Sequence, residues 1–173
     1  TLVYAGRLAE EKKIDVVIRA LALVQKKFPD VLLAIAGHGT QRARLEALIS
    51  ELALEKNVKF FGTLDKAHLA ELYQASDVFT IASCSETQSM VLLQAAATGL
   101  PAVGVNARGL AEYIQKESGF LAAPDTVEEF AEHCIFLLKN PDQRLALSEG
   151  AKKYAQKFSV KNIVDQWEDF YKQ

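Results

Sequence analysis

The sequence predicts an α/β domain: a doubly wound parallel sheet of about six strands, with helices on both faces and a helical C-terminal segment. Two observations carry that expectation. Short apolar runs alternate with segments whose apolar residues recur every three or four positions, the signature of strands and amphipathic helices in turn. The runs are also nearly continuous in hydrophobicity, which is how strands covered on both faces read.

Leu2 to Ala5 reads as the first buried strand, ended by Gly6. A helix follows from Lys13, with Ile14, Val17, Ile18, Leu21 and Val24 on one stripe, and Phe28-Pro29 ends it. Val31 to Ala36 is the next strand, closed by Gly37-His38-Gly39. Leu45, Leu48, Ile49 and Leu52 mark the second helix, Val58 to Phe61 a strand, and Leu69, Leu72 and Tyr73 the third helix. Val78 to Ala82 is a fourth strand, followed by a polar loop through Gln88 and a helix to about Thr98. Gly99-Leu100-Pro101 leads into the strand Ala102 to Val105. Beyond Asp125 the pattern is purely helical, and Ser159 suits the N-cap of the last helix, whose apolar face is Val160, Ile163, Val164, Trp167, Phe170 and Tyr171.

With 173 residues, half of them hydrophobic, the chain can bury one sizeable core. A net charge of −2 gives no electrostatic case for nucleic acid or an anionic membrane. The apolar runs fall far short of the roughly 20 residues a bilayer crossing needs, and no signal peptide opens the chain. Cys84 and Cys134 lack metal or redox spacing and read as buried free thiols in a reducing cytosol. The abrupt start at Thr1 reads as that of a fragment.

In a doubly wound sheet, ligands bind at the carboxyl ends of the strands, so the chemistry is sought in the loops that follow them. The loop after the first strand carries Arg7, a planar donor fork, and Lys12, a mobile point charge, a pairing suited to a diphosphate. On its own the stretch reads better as a solvated charged loop leading into a helix. The loop after the fourth strand places Glu86 just before a helix whose free amides make an anion site, with Gln94 about one and a half turns in. Glu86 and Gln94 could grip two ends of one sugar nucleotide, or could merely complement the helix dipole and occupy a helix face. Gly37-His38-Gly39 is half of a phosphate-loop pattern and, alone, reads as a tight turn. No Walker sequence, nucleophile elbow or Asp-x-Asp pair is present, and His38, His68 and His133 have no companions at ligand spacing.

Six stretches in order resemble one family, the C-terminal donor-binding domain of retaining GT-B glycosyltransferases (glycosyl transferases group 1, or family 4). They are Gly6-Arg7-Leu8 with Glu11-Lys12; Leu33 to Gly39, a strand ending in Gly-x-Gly; Val58 to Gly62; Leu72-Tyr73 with Ala75 to Val78; Glu86 to Gln94 running on to Gly99-Leu100-Pro101; and Gly119 to Leu121 with Pro124. The likeness covers essentially the whole chain and implies a Rossmann-like fold.

The resemblance implies transfer of a sugar from a nucleoside diphosphate donor with retention, without a metal or other cofactor. By position, Arg7 and Lys12 would bind the diphosphate beside Gly6 and Gly37, and Glu86 would contact donor sugar hydroxyls. Arg7, Lys12 and Glu86 are the expected catalytic residues. Amides around Gln88, Ser89 and Met90 would hold the phosphate, Gln94 would accept from the ribose, and the base would lie near Gly62 and Leu64. This chain departs from the family pattern at Gln94, in place of a glutamate, and at Ser89 and Lys13, where glycine is common. A neutral Gln94 should weaken the ribose grip by about 1 kcal/mol, somewhat under tenfold.

Residues 1–155 are expected to be the donor domain and 156–173 a helix packing on it or toward an N-terminal acceptor domain of the same protein. In the family that absent domain holds the acceptor site, so the chain alone should transfer nothing. Glu86-Thr87-Gln88 resembles bacterial diacylglycerol glucosyltransferases, implying UDP-glucose and an envelope lipid or saccharide acceptor. The expected location is cytoplasmic, at the inner membrane face in the full-length protein, with membrane contact only through the other domain. A non-catalytic nucleotide-sugar-binding module with the same fold is the alternative, favoured by Gln94 alone.

Overall fold

The computed structural model describes residues 1–172; Gln173, the end of the expected segment 156–173, lies outside the described residues. Six strands form one sheet: β1 (Leu2–Ala5), β2 (Leu33–Ala36), β3 (Val58–Gly62), β4 (Val78–Ile81), β5 (Ala102–Val105) and β6 (Gly119–Ala122). All neighbouring strands run parallel, in the order β3-β2-β1-β4-β5-β6. The doubly wound parallel sheet expected from the sequence is therefore present, with six strands.

Burial follows position in the sheet. The four inner strands, β2, β1, β4 and β5, are buried at every residue, so their sequences carry no alternation for water to impose. Strand β3 lies at the edge, and its residues alternate between half-buried and exposed. Exposed Lys59 on that edge discourages pairing with another chain.

The strands are connected by α1 (Ile14–Gln25), α2 (Arg42–Glu51), α3 (Lys66–Gln74), α4 (Met90–Ala97) and the single turn α5 (Leu110–Tyr113). The chain then runs through α6 (Val127–Lys139), α7 (Pro141–Gln156) and α8 (Val160–Tyr171). With the strand order reversing at β1, crossovers of the usual hand put α1 and α2, which touch each other, on one face and α3 and α4, which also touch, on the other. Helix α6 returns to pack against α1, while α7 bridges α4 and α6. The stripe Ile14, Val17, Ile18, Leu21 and Val24 is buried as expected.

Differences from the sequence reading are local. Helix α1 ends at Gln25, short of Phe28-Pro29, and β2 begins at Leu33 rather than Val31. A 3-10 turn, Glu10–Lys12, precedes α1, so Lys13 is its cap and not its first residue. Cys134 is buried, and burial pushes its thiol up, whereas Cys84 is only half-buried. Ser159 caps α8 by accepting from the Asn162 amide at 3.3 Å. The apolar face of α8 stays exposed, from Ile163 at 37 % to Val160 at 81 %.

Candidate functional site

Strand β1 sits between β2 and β4, where the winding of the sheet reverses. Loops leaving β1 and β4 must diverge there, which opens a crevice at their carboxyl ends. The loop after β1 is fixed by backbone bonds to its neighbour. Gly6 N–H donates to the Ala36 carbonyl at 2.9 Å, Leu8 N–H to that of His38 at 2.8 Å, and Gln41 N–H to that of Leu8 at 3.0 Å. Two glycines allow this closeness. A Cβ on Gly37 would lie 1.8 Å from the Gly6 carbonyl oxygen, and one on Gly39 would lie 2.3 Å from that of Leu8.

Tyr4 supports the loop from beneath, its hydroxyl donating to the Arg7 carbonyl at 3.0 Å. Burial first, then the charges of Glu86 and Glu11, push its phenol well above the ordinary value. It therefore remains a neutral donor. Past the 3-10 turn, Lys13 turns the chain into α1 with φ 49 and ψ 41, a left-handed conformation in which glycine is at ease and a lysine is strained. That backbone conformation is one that would favour glycine at this position.

The loop after β4 faces it. The Ser83 hydroxyl donates to the Glu11 carbonyl at 3.3 Å, and Gly109 N–H to that of Glu86 at 3.0 Å. Ser89 caps α4 in extended conformation, yet its side chain makes no capping bond. Helices leave their first amides unpaired, and those of α4 point into the crevice with the positive end of its dipole.

The charged residues meet across the crevice. Lys12 Nζ lies 2.6 Å from Glu86 Oε1, with side chains 20 % and 12 % exposed. Arg7 pairs with Glu11 at 2.6 Å and is mostly exposed. The expected cation pair is thus present, but each cation already holds a carboxylate.

Two adjoining cavities run along the carboxyl ends of the strands. One of about 260 Å³ is lined by Gly6, Arg7, Lys12, Glu86, Ser89 and Met90, among others. The other, about 310 Å³, is lined by Gly37, His38, Thr63, Leu64 and Leu69. Ala5, Gly6, Arg7 and Val91 belong to both, making one cleft. Its second part is mainly apolar, and His38 Nδ1 and Thr63 Oγ1 lie 2.7 Å apart at its wall.

Most expected site residues converge on this cleft, and three stand apart from its lining. Gly62 ends β3 at φ 67 and accepts from Gly37 N–H at 2.6 Å, so it shapes the backbone behind the apolar part. Gln88 is exposed on the loop, and Gln94 is half-buried one turn further along α4. Conversely, Tyr4, His38, Thr63, Leu69 and Val91 line the cleft without having been singled out for it. Tyr4 and Val91 read as core residues because they serve the core as well. His38 and Thr63 come together only through the parallel pairing of β2 and β3. Among the described residues, no group of three or more His, Cys, Asp or Glu side chains is placed to hold a metal ion, and no helix is long and apolar enough to cross a membrane.

The chain is similar to known proteins along almost its whole length. The family model described as glycosyl transferases group 1 matches residues 1–154. The chain belongs to this family. It is 31 % identical over 177 residues to a D-inositol 3-phosphate glycosyltransferase of Corynebacterium urealyticum, covering 98 % of this chain and 42 % of that protein. A sulfoquinovosyl transferase of Arabidopsis thaliana is 30 % identical, over 91 % of this chain and 30 % of its own. Among solved structures, the Anabaena protein HepE in complex with UDP superposes with a TM-score of 0.89 at 26 % identity, over 99 % of this chain and 48 % of that one. This group 1 domain thus has the Rossmann-like fold of GT-B glycosyltransferases. It spans less than half the length of these relatives.

Proposed function

We propose that the chain is the donor-binding half of a retaining glycosyltransferase that moves a sugar from a UDP-sugar to an envelope lipid or saccharide. The observation that carries this reading is the meeting of Lys12 and Glu86 at the mouth of α4, beside an apolar base-sized recess. Arg7, Lys12 and the α4 amides around Ser89 and Met90 hold the diphosphate, with Gln88 at the rim of the loop. Glu86 accepts from donor sugar hydroxyls. The base enters between Gly37, Leu64 and the turn at Gly62, and Gln94 accepts from the ribose.

The leaving diphosphate gains charge as the glycosidic bond breaks, and pre-placed cations and amides stabilise that charge most in the transition state. Arg7 and Lys12 supply this stabilisation without a metal ion. The relatives are more than twice as long as this chain, and we assign the acceptor side to an N-terminal domain of the same protein. On its own the chain binds donor and transfers nothing. UDP-glucose as donor, a cytoplasmic location and membrane contact through the other domain complete the reading.

Titrating the chain with UDP, GDP and ADP by calorimetry tests it. Saturable binding, tightest for UDP and weakened about tenfold by Arg7→Ala, is expected. No saturable binding to any of the three would overturn the reading.

A further inference from the structure

Ser89 breaks the usual rule for buried polar groups. The residue is 1 % exposed, and its hydroxyl has no hydrogen-bond partner among the described residues. Buried hydroxyls are ordinarily paired, because losing water without replacement is costly. Serine at an N-cap also ordinarily turns its oxygen onto an amide two or three residues on, and Ser89 does not. Its hydroxyl oxygen is shielded from solvent and is not used by the helix. Tyr73 Oη and His133 Nε2 also have no hydrogen-bond partner among the described residues, with His133 Nε2 3.8 Å from Glu129 Oε1, but neither residue lines the cleft, whereas Ser89 does, beside Lys12 and Glu86.

We infer that the Ser89 hydroxyl is a phosphate ligand, donating its O–H to a non-bridging oxygen of a nucleoside diphosphate at the mouth of α4. The inference rests on the proposed reading of the cleft as a nucleoside diphosphate site and adds a side-chain donor to its amides. The α4 amides favour an anion there, and Lys12 brings positive charge to the same cavity. A serine hydroxyl reorients about one torsion, so the bond forms without backbone movement. A bond from O–H to an ionised oxygen is shorter and stronger than a neutral one. The backbone does not dictate the choice of residue: φ is −97 at Ser89, open to any side chain. The hydroxyl is therefore unemployed in the free chain and completed by ligand.

Calorimetry with UDP, paired with NMR titration of uridine, on the wild type, Ser89→Ala and Ser89→Gly tests the inference. Both variants should bind UDP roughly five- to tenfold more weakly while uridine binding stays the same. The free Ser89→Ala chain should melt no lower than the wild type, since it loses only an unpaired hydroxyl. Ser89→Gly supplies the reading if the alanine variant fails to fold. UDP affinity unchanged within about twofold in both variants, against saturable wild-type binding, would overturn the inference and leave the site reading standing. Equal weakening of UDP and uridine would also overturn it, by showing that the residue shapes the cleft. A wild type that binds no UDP overturns both.

Discussion

Lys12 Nζ and Glu86 Oε1 lie 2.6 Å apart although 74 residues separate them in the chain. One comes from the loop after the first strand and the other from the loop after the fourth. Their pairing bridges the reversal point of the sheet and holds the two charges at low exposure, 20 % and 12 %. In the free chain, the carboxylate proposed for sugar hydroxyls thus occupies the cation proposed for phosphate.

Breaking that pair from either side should have opposite consequences for ligand. Lys12→Ala leaves Glu86 unpaired at low exposure and should cost about 1–2 kcal/mol of stability, between the values for surface and buried pairs. It should also weaken UDP by about tenfold or more. Glu86→Gln releases Lys12, so UDP should bind at least as tightly as to the wild type while a UDP-sugar loses affinity relative to UDP. Calorimetry with both ligands, alongside urea denaturation, checks the pattern; weaker UDP binding in Glu86→Gln would contradict it.

Gly37→Ala should be severely destabilising. The new methyl would lie 1.8 Å from the Gly6 carbonyl oxygen, and Gly37 has φ +138. Neither rigid backbone can yield without disturbing β1 or β2, so a loss of about 3 kcal/mol or more is expected. A fall in the urea midpoint with an unchanged slope would report it.

Lys13→Gly should act in the other direction. Lys13 holds φ 49 at the entrance to α1, and glycine relieves that strain while adding freedom to the unfolded chain. The net gain should be at most about 1 kcal/mol. Thermal unfolding at matched concentration measures it, and a lower midpoint would show that the lysine side chain holds the turn.

Asp65 and His68 should give α3 a pH-sensitive N-terminus. Bonded to the Asp65 carboxylate, His68 titrates above its ordinary 6.5. Its contribution is therefore full below 6.5 and lost as pH rises through the raised value. The His68 amide, then its ring, hold Asp65 below the ordinary 3.8, so that contribution is present above 3.8 and lost as pH falls through the lowered value. The cap is strongest between these limits. Following the His68 ring by NMR should show its midpoint falling toward 6.5 in Asp65→Asn.

Most of the strand and helix order was legible because the inner strands are almost wholly apolar runs, interrupted in β4 by Thr80, and α1 carries a clear stripe. Strand β6, at the edge of the sheet, was not legible as a strand of its own. The short α5 turn and the 3-10 turn at Glu10 were not, since a single turn has no periodicity to reveal it. Lys12, Glu86 and Ser89 could be singled out by their place after strands. That Lys12 pairs with Glu86, that His38 meets Thr63, and that the Ser89 hydroxyl has no hydrogen-bond partner among the described residues are products of tertiary packing. Lys13 lies between these cases: the resemblance leads one to expect glycine there, and the left-handed backbone is one that glycine adopts without strain.

The position of β1 has a kinetic consequence. It is the first strand in the chain, yet it lies inside the sheet, pairing Leu2 with Leu33 on one side and with Val78 on the other. Without it the sheet would separate into β3-β2 and β4-β5-β6. Folding must therefore wait for a loop of more than seventy residues to close before the two halves join, the kind of long-range contact that slows a chain's search. During that interval the edges of β1 and β4 stand open to other chains, which makes this seam the place where misassembly would begin.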